Sequence, residues 1–410
     1  MAERLAIDGG EPVRTEPFPS RGAVFGEAEL AQVREALESG NLNRVGGTKT
    51  AAMEEKFAAL MGAKHCLAVT SGTAALHTAM GAINPNPGDE IITTPVSDMG
   101  TVIGILYQNA IPVFADVEPN GFNLDPASVR RNLTDRTRAI IVVHLWGTAA
   151  NMDEFLKIGE EHCLPIIEDC AQAYLTTCEG RRVGTLGRMG CFSLQQSKHI
   201  TSGDGGLVIT DDDQLASRAR LFADKGWDRT VSERGHVFLG PNYRISELQS
   251  AVTLAQLGKL ESVCARRREL GDRLTKGIAG LHGVYGLPLR EGCDNTYWYY
   301  PIRVVASELG MPRARFQAAL NAEGLWSGTW IGRPLYLFEA LLEQRTFGTS
   351  HHPFDSPAAS RRVRYGPGLC PNAEKVLGEF LVMTLNEFFT ERDVDDMARA
   401  IRKVAEAARG

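Results

Sequence analysis

No stretch of the sequence approaches the ~20 consecutive apolar residues that span a bilayer, and Met1–Ile7 lacks the apolar run of a signal peptide. A cytoplasmic protein with no membrane partner is therefore expected. Positive charge is not in excess either. Lys and Arg number 44 against 50 Asp and Glu, a formal charge of -6, which leaves no basic footprint for nucleic acid or anionic lipid. Cysteine is sparse: eight residues are scattered without a CxxC pair or metal-ligand spacing. A metal enzyme is disfavoured, and the cysteines read as reduced core thiols. Cys170 beside Asp169 is no exception, because no base is at hand to make it a nucleophile. Tandem repeats and low-complexity tracts are absent too.

What is present is a core. Apolar residues make up 43% and charged residues 23%, proportions of a folded chain rather than a disordered or fibrous one, and with no basic footprint small-molecule chemistry is the default. At 410 residues the chain exceeds one ordinary core. An N-terminal arm over 1–25, a large domain over 26–262 and a smaller α+β domain over 263–410 are expected. From Lys64 to Thr210 short β-branched runs alternate with amphipathic segments, the α/β rhythm. Strands are predicted at His65–Thr70, Glu90–Thr94, Pro112–Ala115, Ala139–His144, Pro165–Glu168, Cys191–Ser193 and Leu207–Ile209. Helices are predicted at Thr73–Ala82, Met99–Tyr107 and Met152–Glu161, with a long linking helix at Ile245–Arg268. Arg345–Pro367 reads as an irregular loop. The last helix starts at Thr390-Glu391-Arg392-Asp393, a capping sequence, and repeats Val394, Met397, Ile401 and Val404 at helical spacing.

In a mostly parallel sheet, ligands sit beyond the carboxyl ends of the strands. Three predicted strands end in chemistry. The first leads to Ser71-Gly72-Thr73, where a helix start suits a phosphate, although many such turns merely cap a helix. The second leads to Asp169, either a loop acid or the carboxylate that keeps a pyridine nitrogen protonated. Its neighbour Glu168 points to the other face and is assigned a structural role. The third leads through Ser193 to Lys198 and the glycine-rich Gly203-Asp204-Gly205-Gly206. Most lysines are solvated charges, but one held in a cleft beside a buried strand can be the neutral nucleophile of a Schiff base.

These segments, in this order, resemble the DegT/DnrJ/EryC1/StrS family of sugar aminotransferases dependent on pyridoxal phosphate (PLP). The resemblance runs over nearly the whole chain. It includes Leu145-Trp146-Gly147, Glu168-Asp169-Cys170-Ala171-Gln172, the Ser193 to Lys198 spacing, Gly240-Pro241-Asn242-Tyr243-Arg244 and Cys370-Pro371-Asn372-Ala373-Glu374-Lys375. It implies an α/β fold of type I, with a mixed, mostly parallel sheet in the large domain and a homodimer with shared active sites. Lys198 would be the Schiff-base lysine and Asp169 the partner of the pyridine nitrogen. Gln172 would bond the ring hydroxyl, Gly72, Thr73 and Ser193 would hold the phosphate, and Asn242 would reach the phosphate in the neighbouring subunit.

The chain departs from the family pattern at two places. Where an aromatic ring usually covers the pyridine it has Pro95-Val96-Ser97-Asp98-Met99, and Met99 is taken as the covering side chain. Ala173-Tyr174 follows Gln172 where a smaller side chain or an imidazole is usual, which points to an altered substrate side. His199 follows an intact Lys198, so the lysine-to-histidine exchange of the dehydratase branch has not occurred; His199 is assigned to the loop. The Gln195-Gln196 pair is similar to that of the branch using L-glutamine as donor to inosose acceptors. Trp326, Trp330, His351 and His352 are core or loop residues with a lesser claim on substrate. The reaction expected is amino transfer from L-glutamine or L-glutamate to a keto-sugar or keto-cyclitol. The alternatives are a PLP-dependent dehydratase acting on a nucleotide sugar and a regulatory protein of the same fold.

Overall fold

Runs such as Ile140-Ile141-Val142-Val143 have no polar alternation, so both faces of the strands they form must be covered. The computed structural model describes residues 3–20, 22–231, 233, 235–359 and 361–409. Its strands are β1 (His65–Val69), β2 (Glu90–Thr93), β3 (Ile111–Phe114), β4 (Thr137–Val143), β5 (Ile166–Asp169), β6 (Thr177–Cys178), β7 (Arg181–Arg182), β8 (Met189–Ser193), β9 (Gly206–Thr210), β10 (Val284–Gly286), β11 (Tyr300–Val304) and β12 (Phe380–Met383). The main sheet has the order β1-β9-β8-β5-β4-β2-β3. All neighbours pair in parallel except at β9, which runs against β1 and β8. Every residue of β2, β3, β5, β8 and β9 is buried.

The sheet lies between two apolar layers. Phe192 on β8 meets Phe57 edge-on at 5.1 Å and Tyr174 at 5.2 Å on one side. Burying side chains of this size contributes roughly 1.5–3 kcal/mol each. The expected α/β architecture is present, and the predicted strands of the main sheet agree with the observed ones to within two residues.

β10, β11 and β12 form a separate antiparallel sheet in the C-terminal part. The closing helix Glu391–Ala407 packs over it, with Val394, Met397, Ile401 and Val404 buried. Thr390 and Asp393 cap each other as their spacing predicts. The N-terminal arm docks here too: Ala6 and Val13 donate their backbone N–H to the Glu323 carboxylate, and Arg14 pairs with Asp393 at 2.6 Å.

Two expectations need correction. Ile245–Arg268 is not one helix. Glu247–Gln256 and Leu260–Gly277 are separated by Leu257-Gly258-Lys259, where Gly258 carries no side chain to hold a further turn in register. The cysteines are not all reduced core thiols: Cys178 and Cys293 form a disulfide that ties β6 to the segment before β11, and Cys163 is exposed. Between Leu342 and Pro371 there is neither helix nor strand among the described residues, as expected of an irregular loop. No described helix is long and apolar enough to cross a membrane.

Candidate active site

The parallel register brings the ends of β1, β2, β5 and β8 to one edge of the sheet, and the reversed β9 begins there. Ser71 follows β1 and caps the helix Gly72–Ile83 by accepting the Ala74 N–H at 3.0 Å. Gly72 is required by proximity: a Cβ there would stand 2.7 Å from Cβ of Ser193. Its absence lets the end of β8 lie against the helix start. Gly206 allows a second close approach, since its Cβ would fall 2.1 Å from the Ser71 carbonyl oxygen. The outcome is a cradle of Gly72, Thr73 and Ser193 at the positive end of a helix, in the wall of a cavity of about 320 Å³.

Asp169 closes another wall of this cavity. Its carboxylate is buried and accepts the Ala171 N–H at 3.1 Å and the Thr101 hydroxyl at 2.9 Å. The Ser97 hydroxyl, 2.7 Å from that of Thr101, donates in turn. Burial pushes the Asp169 carboxyl above its ordinary range, and the Asp98 carboxylate adds to the rise. The Ala171 N–H, the Thr101 hydroxyl and the positive charge of Lys198 oppose it without cancelling it. Such a group gains from a cationic partner placed against it.

On the opposite face of β5, Glu168 is fully buried and anchors a turn. It accepts N–H bonds from Gly184, Leu186 and Gly187 and one from His144 Nε2 at 2.9 Å. His144 Nδ1 accepts the Ala150 N–H, which leaves the ring proton on Nε2. His144, Glu168 and Cys170 lie close enough to suggest a metal cluster. Both Glu168 oxygens are nevertheless taken by donors, and burial pushes the Cys170 thiol up, so the cluster reads as a structural buttress.

Lys198 stands on the turn after β8. Gln195 shapes that turn: its side-chain oxygen accepts the N–H of Ser197 at 2.8 Å and the hydroxyl at 2.6 Å, and its carbonyl accepts the Lys198 N–H. The Lys198 Nζ lies 4.0 Å from the centre of the Trp298 ring, a cation–π contact. Trp298 is itself fixed, because its indole N–H donates to the Ser197 carbonyl at 2.7 Å and its ring stacks on Trp146. Tyr299 and Trp330 complete this aromatic side of the cavity.

The structure thus brings Gly72, Thr73, Asp169, Ser193 and Lys198 to one cavity. Met99 does not line it, which corrects the expectation that its thioether covers a ring there. Asp98, Gly100 and Thr101 form that wall, while Met99, at the start of the helix Gly100–Tyr107, turns its apolar side chain to the core. Gln172 is not among the lining residues either: it is buried next to Ala171, which is, and its side-chain oxygen accepts the Trp146 N–H at 2.9 Å. Tyr174 belongs to the core and donates to the Ser193 carbonyl, so it does not alter a substrate face. His199 is buried and donates to the Thr296 carbonyl. Asn242 is exposed, pairs across from Asp224 and does not line the cavity of its own chain. Of the four outlying aromatic and histidine candidates, Trp330 lines the cavity, Trp326 is exposed and His352 faces Asn109.

Sequence reasoning missed Trp298, Tyr299, Thr101 and the place of Asp98. The one usable signal for the first two was the aromatic run Tyr297-Trp298-Tyr299-Tyr300 before β11.

Comparison with known proteins identifies the family. Residues 24–402 match the model of the DegT/DnrJ/EryC1/StrS aminotransferase family. A putative L-glutamine:3-amino-2,3-dideoxy-scyllo-inosose aminotransferase of Micromonospora echinospora is 35% identical, over 98% of this chain and 97% of its own length. The L-glutamine:2-deoxy-scyllo-inosose aminotransferase of Streptomyces paromomycinus is 38% identical, over 79% of this chain and 80% of its own. Among solved structures, the aminotransferase TlmJ of Streptoalloteichus hindustanus superposes with a TM-score of 0.82 at 28% identity, covering 96% of this chain and 100% of that one. The chain belongs to the DegT/DnrJ/EryC1/StrS aminotransferase family and is a PLP-dependent aminotransferase.

Proposed function

We propose that this chain moves the amino group of L-glutamine to the carbonyl of a keto-cyclitol, with PLP held by Gly72, Thr73, Ser193, Asp169 and Lys198. The observation that carries the reading is that Lys198 and the buried Asp169 line one cavity together with Gly72, Thr73 and Ser193 at a helix start. That set fits PLP: an amine, a buried carboxylate whose pKa stays raised despite nearby Lys198, and a helix start that the missing Cβ of Gly72 lets lie against Ser193. When bound, PLP supplies the electron sink that lets a carbon–hydrogen bond beside nitrogen break.

The side chains have separate tasks. Asp169 holds positive charge at the ring nitrogen, and Thr101 and Ala171 fix its two oxygens. Lys198 Nζ takes a proton from the donor carbon in one half-reaction and returns one to the acceptor carbon in the other. Trp298 limits the positions open to Nζ and keeps bulk water off that face. The Gln172 amide nitrogen is the donor left for the ring hydroxyl, since its oxygen already serves Trp146.

The acceptor class follows from charge as well as from the relatives. Among the described lining residues Lys198 is the one cation, against Asp98, Asp169 and Asp204. A nucleotide-linked sugar brings a diphosphate that this lining does not meet, whereas an uncharged or amine-bearing ring suits it. With PLP and L-glutamine, purified protein is expected to aminate 2-deoxy-scyllo-inosose or its amino derivative at least about tenfold faster than nucleotide keto-sugars, as read from product formation. Preference for a nucleotide sugar, or water release without nitrogen transfer, would refute the reading.

The functional unit is proposed to be a homodimer in which Asn242 serves the partner's cofactor. Its exposure and its absence from the lining of its own chain's cavity support this. Mixing Lys198→Ala and Asn242→Ala chains should restore activity through heterodimers with one intact site. No recovery on mixing, with exchange of chains verified by mass, would argue for unshared sites.

A further inference from the structure

The Tyr243 hydroxyl ties the loop 240–244 to the helix that starts at the cradle of Gly72 and Thr73. That helix, Gly72–Ile83, reaches His77 one turn after Thr73. His77 Nδ1 lies 2.8 Å from the Tyr243 hydroxyl, and the two rings meet edge-on with centres 5.6 Å apart. The Gln108 amide nitrogen stands 2.9 Å from His77 Nε2 and donates to it, so the ring proton sits on Nδ1 and is given to Tyr243. Burial pushes the His77 ring down to about 4 and the Tyr243 phenol up, with Tyr107 adding to the rise. Both groups are therefore uncharged at neutral pH, and the pair is a fixed strut.

The two ends of this strut differ in rigidity. On the helix, Ala74 to Ala82 are buried without a break, and Gly104 packs so close that a Cβ there would stand 2.8 Å from His77 Cα. Asn242, next to Tyr243, is exposed. Its loop follows the neighbouring segment through backbone bonds: the Pro241 carbonyl accepts the Lys225 N–H at 2.9 Å, and the Tyr243 N–H donates to the Ala223 carbonyl at 2.8 Å. Asn242 bridges Asp224 and Arg244 bridges Val69, so the backbone here is extended. Successive side chains of extended backbone point to opposite faces, and a Tyr243 held inward on His77 turns Asn242 outward. The Asn242 side-chain oxygen accepts the Arg244 N–H at 3.3 Å. The amide nitrogen is the end left for a phosphate, which only accepts.

We propose that Tyr243 is a positioning residue for the partner's site: by its bond to His77 it sets how Asn242 is presented to the phosphate of the partner's cofactor. The cradle helix of one site then braces the phosphate contact of the other. The proposal rests on the reading of the functional unit as a dimer with shared sites.

The test titrates apo dimers of two differently tagged chains with PLP and follows the visible band, which reports the site that keeps Lys198. In the first dimer a wild-type chain is paired with a chain carrying Lys198→Ala and Tyr243→Phe, so the one Lys198 site receives Asn242 from the altered loop. In the second a Tyr243→Phe chain is paired with a Lys198→Ala chain. There the Lys198 site sits in the altered chain but receives Asn242 from an intact loop. Against the dimer of wild-type and Lys198→Ala chains, PLP affinity should fall about fivefold in the first and stay within about twofold in the second, the scale of one neutral hydrogen bond. A merely structural tyrosine would act equally in both. Tyr243→Met, which also fills the ring's place without a hydroxyl, repeats both dimers if the phenylalanine variant does not fold.

An unchanged affinity in the first dimer, or an equal fall in both, would overturn the proposal. Asn242→Ala in place of Tyr243→Phe in the first dimer separates this from failure of the underlying reading. If it weakens PLP binding where Tyr243→Phe does not, the shared site stands and the role of Tyr243 is refuted. If it leaves affinity unchanged, the shared-site reading fails and the proposal falls with it.

Discussion

Lys198→Ala is expected to lower amino transfer by about 10,000-fold or more while leaving the fold intact, because one truncation removes both a nucleophile and a proton carrier. Lys198 provides the one amine among the described lining residues, so no neighbour takes over. Little packing is lost. The side chain runs along the Trp298 ring and fills no core cluster, and Trp298 keeps its bond to the Ser197 carbonyl. Far-ultraviolet dichroism and melting temperature should therefore stay close to wild type, and PLP should be retained only by non-covalent contacts to the cradle. Borohydride treatment of wild-type holoenzyme should fix the cofactor to the peptide carrying Lys198. Label on another lysine, or a variant within tenfold of wild-type turnover, would remove Lys198 from its role.

Much of this site was legible because its parts are short and local. Val69-Thr70-Ser71-Gly72-Thr73 reads as strand, turn and helix start, and Ile166-Ile167-Glu168-Asp169 as a strand ending in an acid. Phase at the start of a helix is a different matter. Asp98 and Met99 are adjacent, and which of them meets the cavity depends on where the helix Gly100–Tyr107 begins and on the core that draws Met99 away. Residues brought in from far along the chain are harder still. Trp298 is about a hundred positions from Lys198, and only the packing of the β11 segment over the sheet edge puts its ring beneath that amine. The pairing of Cys178 with Cys293 is hidden for the same reason. Side-chain periodicity reports burial, whereas these contacts depend on how separate layers meet.

Asp169→Asn separates chemistry from folding by the sign of its effects. In wild-type protein without cofactor, burial raises the Asp169 carboxyl above its ordinary 3.8. The folded state then binds the proton more tightly than the unfolded chain. This group's contribution to stability is fully present below the unfolded value and is lost as pH rises through the raised folded one. At neutral pH the ionised, buried carboxylate is a net cost. The amide removes that cost and keeps the bonding pattern: its oxygen can accept the Ala171 N–H, and its nitrogen can donate to Thr101, whose own proton then turns to Ser97. Apo Asp169→Asn should consequently match wild type in acid and melt at an equal or higher temperature at neutral pH. Turnover should move the other way. A unit pair of charges near contact at protein-like screening is worth about 4 kcal/mol, and each 1.36 kcal/mol of barrier is about tenfold in rate, so a fall of about 1000-fold is expected. Cofactor binding should weaken with it, since the favourable partner of the ring nitrogen is gone. Melting curves of apo and PLP-loaded protein across pH, set beside single-turnover rates with L-glutamine, measure both signs. An apo variant that unfolds at neutral pH, or a loaded one with near-normal rates, would make Asp169 a structural acid and leave the protonated ring without its partner.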